Sequence, residues 1–152
     1  MQNLRIKIKK LSDKIGTVIQ EPNYATAGSA GIDLAACIDE PILLEPNNWC
    51  KIPTGLALEI QSFNVVGLVF PRSGLALKKG ITLQNAVGVI DADYRGSLDI
   101  IVRNEGTEPW RIECGDRIAQ IVFMPIFRAE FEYTERLETT CRGVQGFGST
   151  GK

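Results

Sequence analysis

Residues 142–152 read Arg-Gly-Val-Gln-Gly-Phe-Gly-Ser-Thr-Gly-Lys, so four glycines, two hydroxyls, two cations and one aromatic ring fall in a stretch too short and polar to fold alone. Such a segment suits the wrapping of a phosphorylated ligand. Glycine lets backbone N–H groups turn onto an anion with no Cβ in the way. Ser149 and Thr150 add donors, Arg142 and Lys152 add charge, and Phe147 and Gly148 set an aromatic face beside a bare backbone. Residues 146–152 fit G-x-x-x-x-G-K, but a phosphate loop of that kind must lead into a helix, and none is expected after Lys152. A frayed glycine-rich end accounts for the same composition.

Four other segments carry groups able to do chemistry. At Pro71-Arg72-Ser73-Gly74 the apolar run 65–70 gives way to a short helix, with Ser73 as its expected cap and Gly80 as its stop. A helix start offers free N–H groups and a positive dipole end, so Arg72, Ser73 and Gly74 stand where a phosphate would sit. A plain capped helix with a surface arginine would look the same. Residues 88–96 read Gly-Val-Ile-Asp-Ala-Asp-Tyr-Arg-Gly, and the strand-like runs on either side predict a hairpin. Asp91 follows three apolar residues and is expected at a buried position, where a carboxylate is costly without a partner or a task. Asp93 reads as a turn-former, and the D-x-D spacing as a solvated turn or a weak metal site. Tyr94 would pack in the core or stack on a ligand ring. Asn85 would read a base edge or make a turn. In residues 30–36 the lone Asp33 sits among small and apolar residues, as a strand-edge surface acid or as a contact to a metal through water. Magnesium bound to phosphates usually keeps several waters. Residues 115–120 form a turn entering a strand. Its charges could pair, and Gln120 could reach a ligand.

These groups need a frame, and the hydrophobic pattern predicts one made of strands. Leu4, Ile6 and Ile8 alternate with polar residues, as do Leu56 and Leu58, and Phe127, Phe131 and Tyr133 share odd positions of a late segment. Turn residues punctuate the chain at the spacing of a sandwich or barrel. The expectation is one all-β, jelly-roll-like domain over residues 1–138 with one short helix, followed by a flexible arm over residues 139–152.

Composition narrows the chemistry. The chain has 152 residues, 44% apolar and 23% charged, and a net charge of −1, so it lacks the basic surface that long nucleic acids require. No apolar run reaches membrane-spanning length, and residues 1–11 are charged and alternating, unlike a signal peptide; a cytoplasmic location with reduced cysteines is expected. Histidine is absent, which removes imidazole bases and most zinc sites. A general base must then be a carboxylate, lysine, tyrosine or cysteine.

Taken together and in order, AGIDLAA (30–36), PRSGLALKKG (71–80), GVIDADYRG (88–96), GDRIAQ (115–120) and RGVQGFGSTG (142–151) resemble the five motifs of the trimeric all-β deoxyuridine triphosphate nucleotidohydrolases. The resemblance runs from about Tyr24 to Thr150. It implies a homotrimer that hydrolyses dUTP to dUMP and pyrophosphate with Mg2+, keeps uracil out of DNA and supplies dUMP for dTMP synthesis. Asp91 matches the base that activates water against the α-phosphorus, and Tyr94 the ring under the deoxyribose. Asn85 matches a residue of the uracil pocket. Arg72, Ser73, Gly74 and Gln120 match phosphate contacts. Asp33 matches the acid that holds waters on magnesium. Phe147 matches the lid aromatic, and Arg142, Gly148, Ser149 and Thr150 belong to the arm that closes over the phosphates. One position departs from the pattern: Gln145 stands where the family usually has glycine.

Two other readings use the same scaffold. A dCTP deaminase would need a glutamate for proton transfer on the strand after residues 88–96, where this chain has Ile101. A non-catalytic nucleotide-binding module would be marked by loss of the base or the arm, and both are present.

Overall fold

A computed structural model describes residues 4–144 and 146. In chain order these form β1 (Ile6–Lys10), β2 (Ile32–Ala35), β3 (Ile42–Leu44), β4 (Trp49–Pro53), β5 (Leu56–Ile60), β6 (Val65–Phe70), α1 (Ser73–Lys79), β7 (Ile81–Leu83), β8 (Gly88–Ile90), β9 (Asp99–Asn104), β10 (Trp110–Ile112) and β11 (Arg117–Pro125). The strands pair antiparallel in a four-stranded sheet β2-β11-β6-β8, a three-stranded sheet β4-β9-β7, and the pairs β1-β5 and β10-β3. This is the expected all-β, jelly-roll-like domain with one short helix. Leu34, Val69, Ile118 and Ile121 of the larger sheet meet Ile52, Ile81, Ile100 and Val102 of the smaller in a single core.

Strand β9 shows how pattern becomes structure. Its residues alternate between half-buried and buried, so Ile100, Val102 and Asn104 all point inward. Asn104 is fully buried, and its side chain is fully used. Its Nδ2 donates to the carbonyls of Leu44 and Glu108, both at 2.9 Å, and its Oδ1 accepts from Gly106 N–H at 2.9 Å. Asn104→Ala would remove one buried bond, to the Leu44 carbonyl, and two part-buried ones, to the Glu108 carbonyl and Gly106 N–H, so a loss of about 2–4 kcal/mol is expected in a denaturant melt.

Several expectations are corrected. Residues 88–96 do not form a hairpin. Strand β8 pairs with β6, whereas β9 pairs with β4 and β7, so the connection between them crosses from one sheet to the other. Ser73 is not the helix cap. The carbonyl of Arg72 already accepts from Leu75 N (3.1 Å) and Ala76 N (3.0 Å), which makes Arg72 the cap and Ser73 the first helical residue. Gly80 does end the helix, at φ 67°, with its N–H on the Ala76 carbonyl at 3.0 Å. The alternation at Phe127, Phe131 and Tyr133 makes no strand, because no strand among the described residues pairs with it. These side chains are 104%, 85% and 98% exposed, so this stretch of the chain has no core to face. On β1 the alternating Ile8 is likewise exposed.

Candidate active site

The central strand of the larger sheet organises the first cluster. In the register of β11, Gln120 sits opposite Asp33 on one side and Phe70 on the other. Asp33 therefore lies one strand away from the exit of β6, where Pro71 and Arg72 lead into α1. Arg72 Nε donates to Asp33 Oδ1 at 2.8 Å, and Arg117 Nη1 to Asp33 Oδ2 at 3.0 Å. Gln120 Nε2 donates to the Pro71 carbonyl at 3.0 Å and so fixes the loop that carries Arg72. The Nη atoms of Arg72 are only loosely engaged, at 3.5 Å from Asp33 Oδ2 and from the Arg117 carbonyl. A guanidinium has five donors, so Arg72 retains capacity for an anion at the helix mouth.

Gly74 supports an anion role for that mouth. A Cβ built on it would meet nothing within 4 Å, and its φ is not left-handed, so neither packing nor backbone requires glycine there. The N–H groups of Ser73 and Gly74 precede the first intrahelical bond, which Leu75 N makes to the Arg72 carbonyl.

The second cluster lies at the β7–β8 connection. Ala86 has φ 60°, and Val87 N donates to the Asn85 carbonyl at 2.7 Å, closing a tight three-residue turn. Below it a cavity of about 110 Å³ is lined by Leu83, Asn85, Gly88, Ile90 and Ile101 among others. Ile101 is thus an apolar wall of this cavity, and no proton can move from that position.

The third cluster is the crossover after β8. Asp91 is exposed, as is Val89 two residues before it at 62%, so the expectation of a buried carboxylate fails. The run Gly88-Val89-Ile90 covers only one face of an outer strand. Tyr94 N donates to the Asp91 carbonyl at 3.1 Å, and Tyr94 Oη to the Ser97 carbonyl at 2.9 Å. The hydroxyl of Tyr94 is thereby occupied, and what the residue offers outward is its half-exposed ring.

Register also shows what one chain does not bring together. Ile90 faces Gly67 and Gly88 faces Val69, so Asp91 continues toward the start of β6, level with Val66, while Arg72 leaves its end. At ~3.3 Å per residue these positions are roughly 15–20 Å apart along the strand. Arg142 lies in an exposed turn closed by Gly143 N–H on the Thr140 carbonyl at 3.0 Å. Phe147, Gly148, Ser149 and Thr150 lie outside the described residues.

A model of the dUTPase family matches residues 17–151. The chain belongs to the dUTPase family. It is 48% identical over 149 residues to a deoxyuridine 5'-triphosphate nucleotidohydrolase of Acinetobacter baumannii, covering 98% of this chain and 99% of the relative. It is 49% identical over 147 residues to the enzyme of that name from Coxiella burnetii, covering 97% of each. Among solved structures, a dUTPase variant of Staphylococcus bacteriophage 80alpha with dUpNHpp superposes with a TM-score of 0.84 at 29% identity, covering 97% of this chain and 99% of that one. A variant dUTPase from phage phi11 of S. aureus, solved with a structural Mg(II) ion, gives 0.77 at 25% identity, covering 89% of this chain and 99% of that one.

Within this dUTPase frame, two residues were not foreseen in their present roles. The sequence leaves the partner of Arg117 open; it is Asp33, far away in the chain, and only strand register reveals the pairing. Gly31 was passed over as small. A Cβ there would fall 2.6 Å from Gln120 Oε1, so its absence makes room for the side chain that holds Pro71.

Proposed function

We propose that this dUTPase-family chain hydrolyses dUTP to dUMP and pyrophosphate as a homotrimer whose sites are shared between subunits. The observation that carries the reading is likeness over nearly the whole chain to a dUTPase solved with a non-hydrolysed triphosphate analogue. Asp91 accepts a proton from water as that water's oxygen bonds to the α-phosphorus. The bridging P–O bond then breaks, its oxygen leaves with pyrophosphate, and Asp91 returns its proton to solvent. Such a reaction needs positioning and charge stabilisation more than covalent catalysis.

Arg72, with the N–H groups of Ser73 and Gly74, holds the phosphates, and Gln120 keeps that loop in place or contacts a phosphate or water. The cavity under Asn85 takes the uracil. Residues 139–152 form the arm outside the β domain of residues 1–138. Arg142, Ser149 and Thr150 serve the γ-phosphate there, and Phe147 with Gly148 covers the base. The separation of Asp91 from Arg72 along β6 supports a site completed by a neighbouring chain, as do the bare side chains of Phe127, Phe131, Tyr133 and Leu137.

Magnesium fits these residues as an ion carried by the substrate. Among the described residues no group of three or more acids and cysteines forms a metal cage. Asp33 is partly exposed and has two arginine partners, and a carboxylate has further acceptor sites for bound water. Bound to the phosphates, the ion would neutralise charge on them. The substrate's nearly four negative charges would otherwise fall on the arginines alone. No helix among the described residues is long and apolar enough to cross a membrane. A cytoplasmic role in keeping uracil out of DNA and supplying dUMP for dTMP synthesis accords with this chemistry.

Incubation with dUTP and with dCTP tests the assignment. Release of dUMP and pyrophosphate from dUTP is expected. Ammonia from dCTP would indicate a deaminase, and binding without products a regulatory module. A second expectation concerns the sugar. Because the Tyr94 hydroxyl is committed to Ser97, its ring, not a hydrogen bond, is what would exclude a 2′-OH. Tyr94→Ala should lower the ratio of kcat/KM for dUTP over UTP by ~10-fold or more, while Tyr94→Phe keeps most of it. An unchanged ratio in Tyr94→Ala would assign sugar selection elsewhere.

A further inference from the structure

We infer that Gly96 is the residue that sets where the Tyr94 ring stands, and so how sharply a 2′-deoxy sugar is separated from a 2′-hydroxy one. The inference rests on the reading that Tyr94 lies against the sugar.

The crossover from β8 to β9 is held by its own bonds. Arg95 Nη1 donates to the Ala92 carbonyl at 2.7 Å and to the Tyr94 carbonyl at 3.0 Å, and Tyr94 N–H closes onto Asp91. The Tyr94 side chain then folds back over the chain to reach Ser97, and its path passes directly across Gly96. A Cβ on Gly96 would lie 2.4 Å from Tyr94 Oη, 2.6 Å from Cζ and 2.9 Å from Cε2. All three of the nearest atoms belong to Tyr94. The phenol end of the ring therefore occupies the volume that any side chain at position 96 would need.

The backbone gives no other reason for glycine at this position. Gly16, Gly55, Gly80, Gly115 and Gly143 adopt left-handed φ angles, and Gly96 does not. Alanine fits the local conformation there, so its effect comes through the ring. The ring is 47% exposed, so it has room to yield outward. Moving outward breaks the bond to the Ser97 carbonyl and shifts the wall against which the sugar would rest. Gly96 is a positioning residue, acting through Tyr94.

The test is a double-variant comparison of kcat/KM for dUTP and UTP in the full chain, using Gly96→Ala, Tyr94→Ala and both together. The dUTP-to-UTP ratio should fall by ~10-fold in Gly96→Ala, because a displaced wall no longer excludes the hydroxyl. Once Tyr94 is alanine, adding Gly96→Ala should change the ratio no further, since the ring it displaces is gone. A ratio unchanged in Gly96→Ala, with Tyr94→Ala lowering it, overturns the inference and leaves the sugar reading intact. A fall in Gly96→Ala alone, with Tyr94→Ala silent, overturns both. An equal further fall in the double variant shows that Gly96 acts by another route and overturns the inference. Should Gly96→Ala fail to fold, recovery of folding on adding Tyr94→Ala supports the same contact, whereas failure of both proteins overturns it.

Discussion

Asp91→Asn should give a protein that folds and binds dUTP yet turns it over roughly 10²–10⁴ times more slowly. The amide keeps the shape of the carboxylate and loses its ability to accept a proton from water. Little else should change, because Asp91 is exposed and forms no ion pair among the described residues. Its backbone carbonyl, which accepts from Tyr94 N–H at 3.1 Å, survives the substitution. The effect should therefore lie in kcat with KM nearly constant, as for a group needed only in the transition state. Single-turnover kinetics with unaltered thermal unfolding would establish it. Near-normal turnover would remove Asp91 from the mechanism.

Deletion of residues 142–152 should leave an equally stable protein with most of its activity gone. β11 closes at Pro125, and among the described residues the core has no member beyond Phe123, so the fold should stand without this segment. What is lost is the proposed lid. Stacking of Phe147 on the base, as proposed, would be worth ~1–3 kcal/mol, or roughly 5- to 150-fold in rate or binding, before any contacts of Arg142, Ser149 and Thr150 are added. These gains must exceed the entropy of ordering a glycine-rich chain, about 1–2 kcal/mol per fixed residue, which favours a short arm that closes only on ligand. Equal kcat/KM in the truncated and full chains would show that the arm takes no part.

The sequence made the strands and the helix stop legible because those depend on local pattern. The apolar run at 65–70 coincides with β6, and Gly80 ends α1 as its left-handed φ of 67° requires. Pairing was not legible. Strands β8 and β9 are neighbours in sequence and were read as one hairpin, but they join different sheets, since which strand pairs with which is decided by the core. The same limit applies to burial. The apolar run before Asp91 looks internal and lies on an outer strand, with Val89 62% exposed. In Phe127, Phe131 and Tyr133 the alternation is real, yet a strand also needs a partner, and none is supplied among the described residues. At the candidate site, Asp33, Arg72 and Gln120 were singled out one by one. That they form one cluster, joined by Arg117, follows from the register of β2, β11 and β6.

The central claim is that each site is built from more than one chain, with Asp91 and the arm coming from different subunits. Co-refolding of two inactive proteins tests it most directly: Asp91→Asn with its arm intact, and a chain lacking residues 142–152 with Asp91 intact. Mixed trimers would contain some sites that receive a competent Asp91 from one chain and a competent arm from another. dUTP hydrolysis should return in the refolded mixture and in neither parent refolded alone. Mixed trimers that form, as shown by mass, and remain inactive would contradict the account by placing base and arm on the same chain.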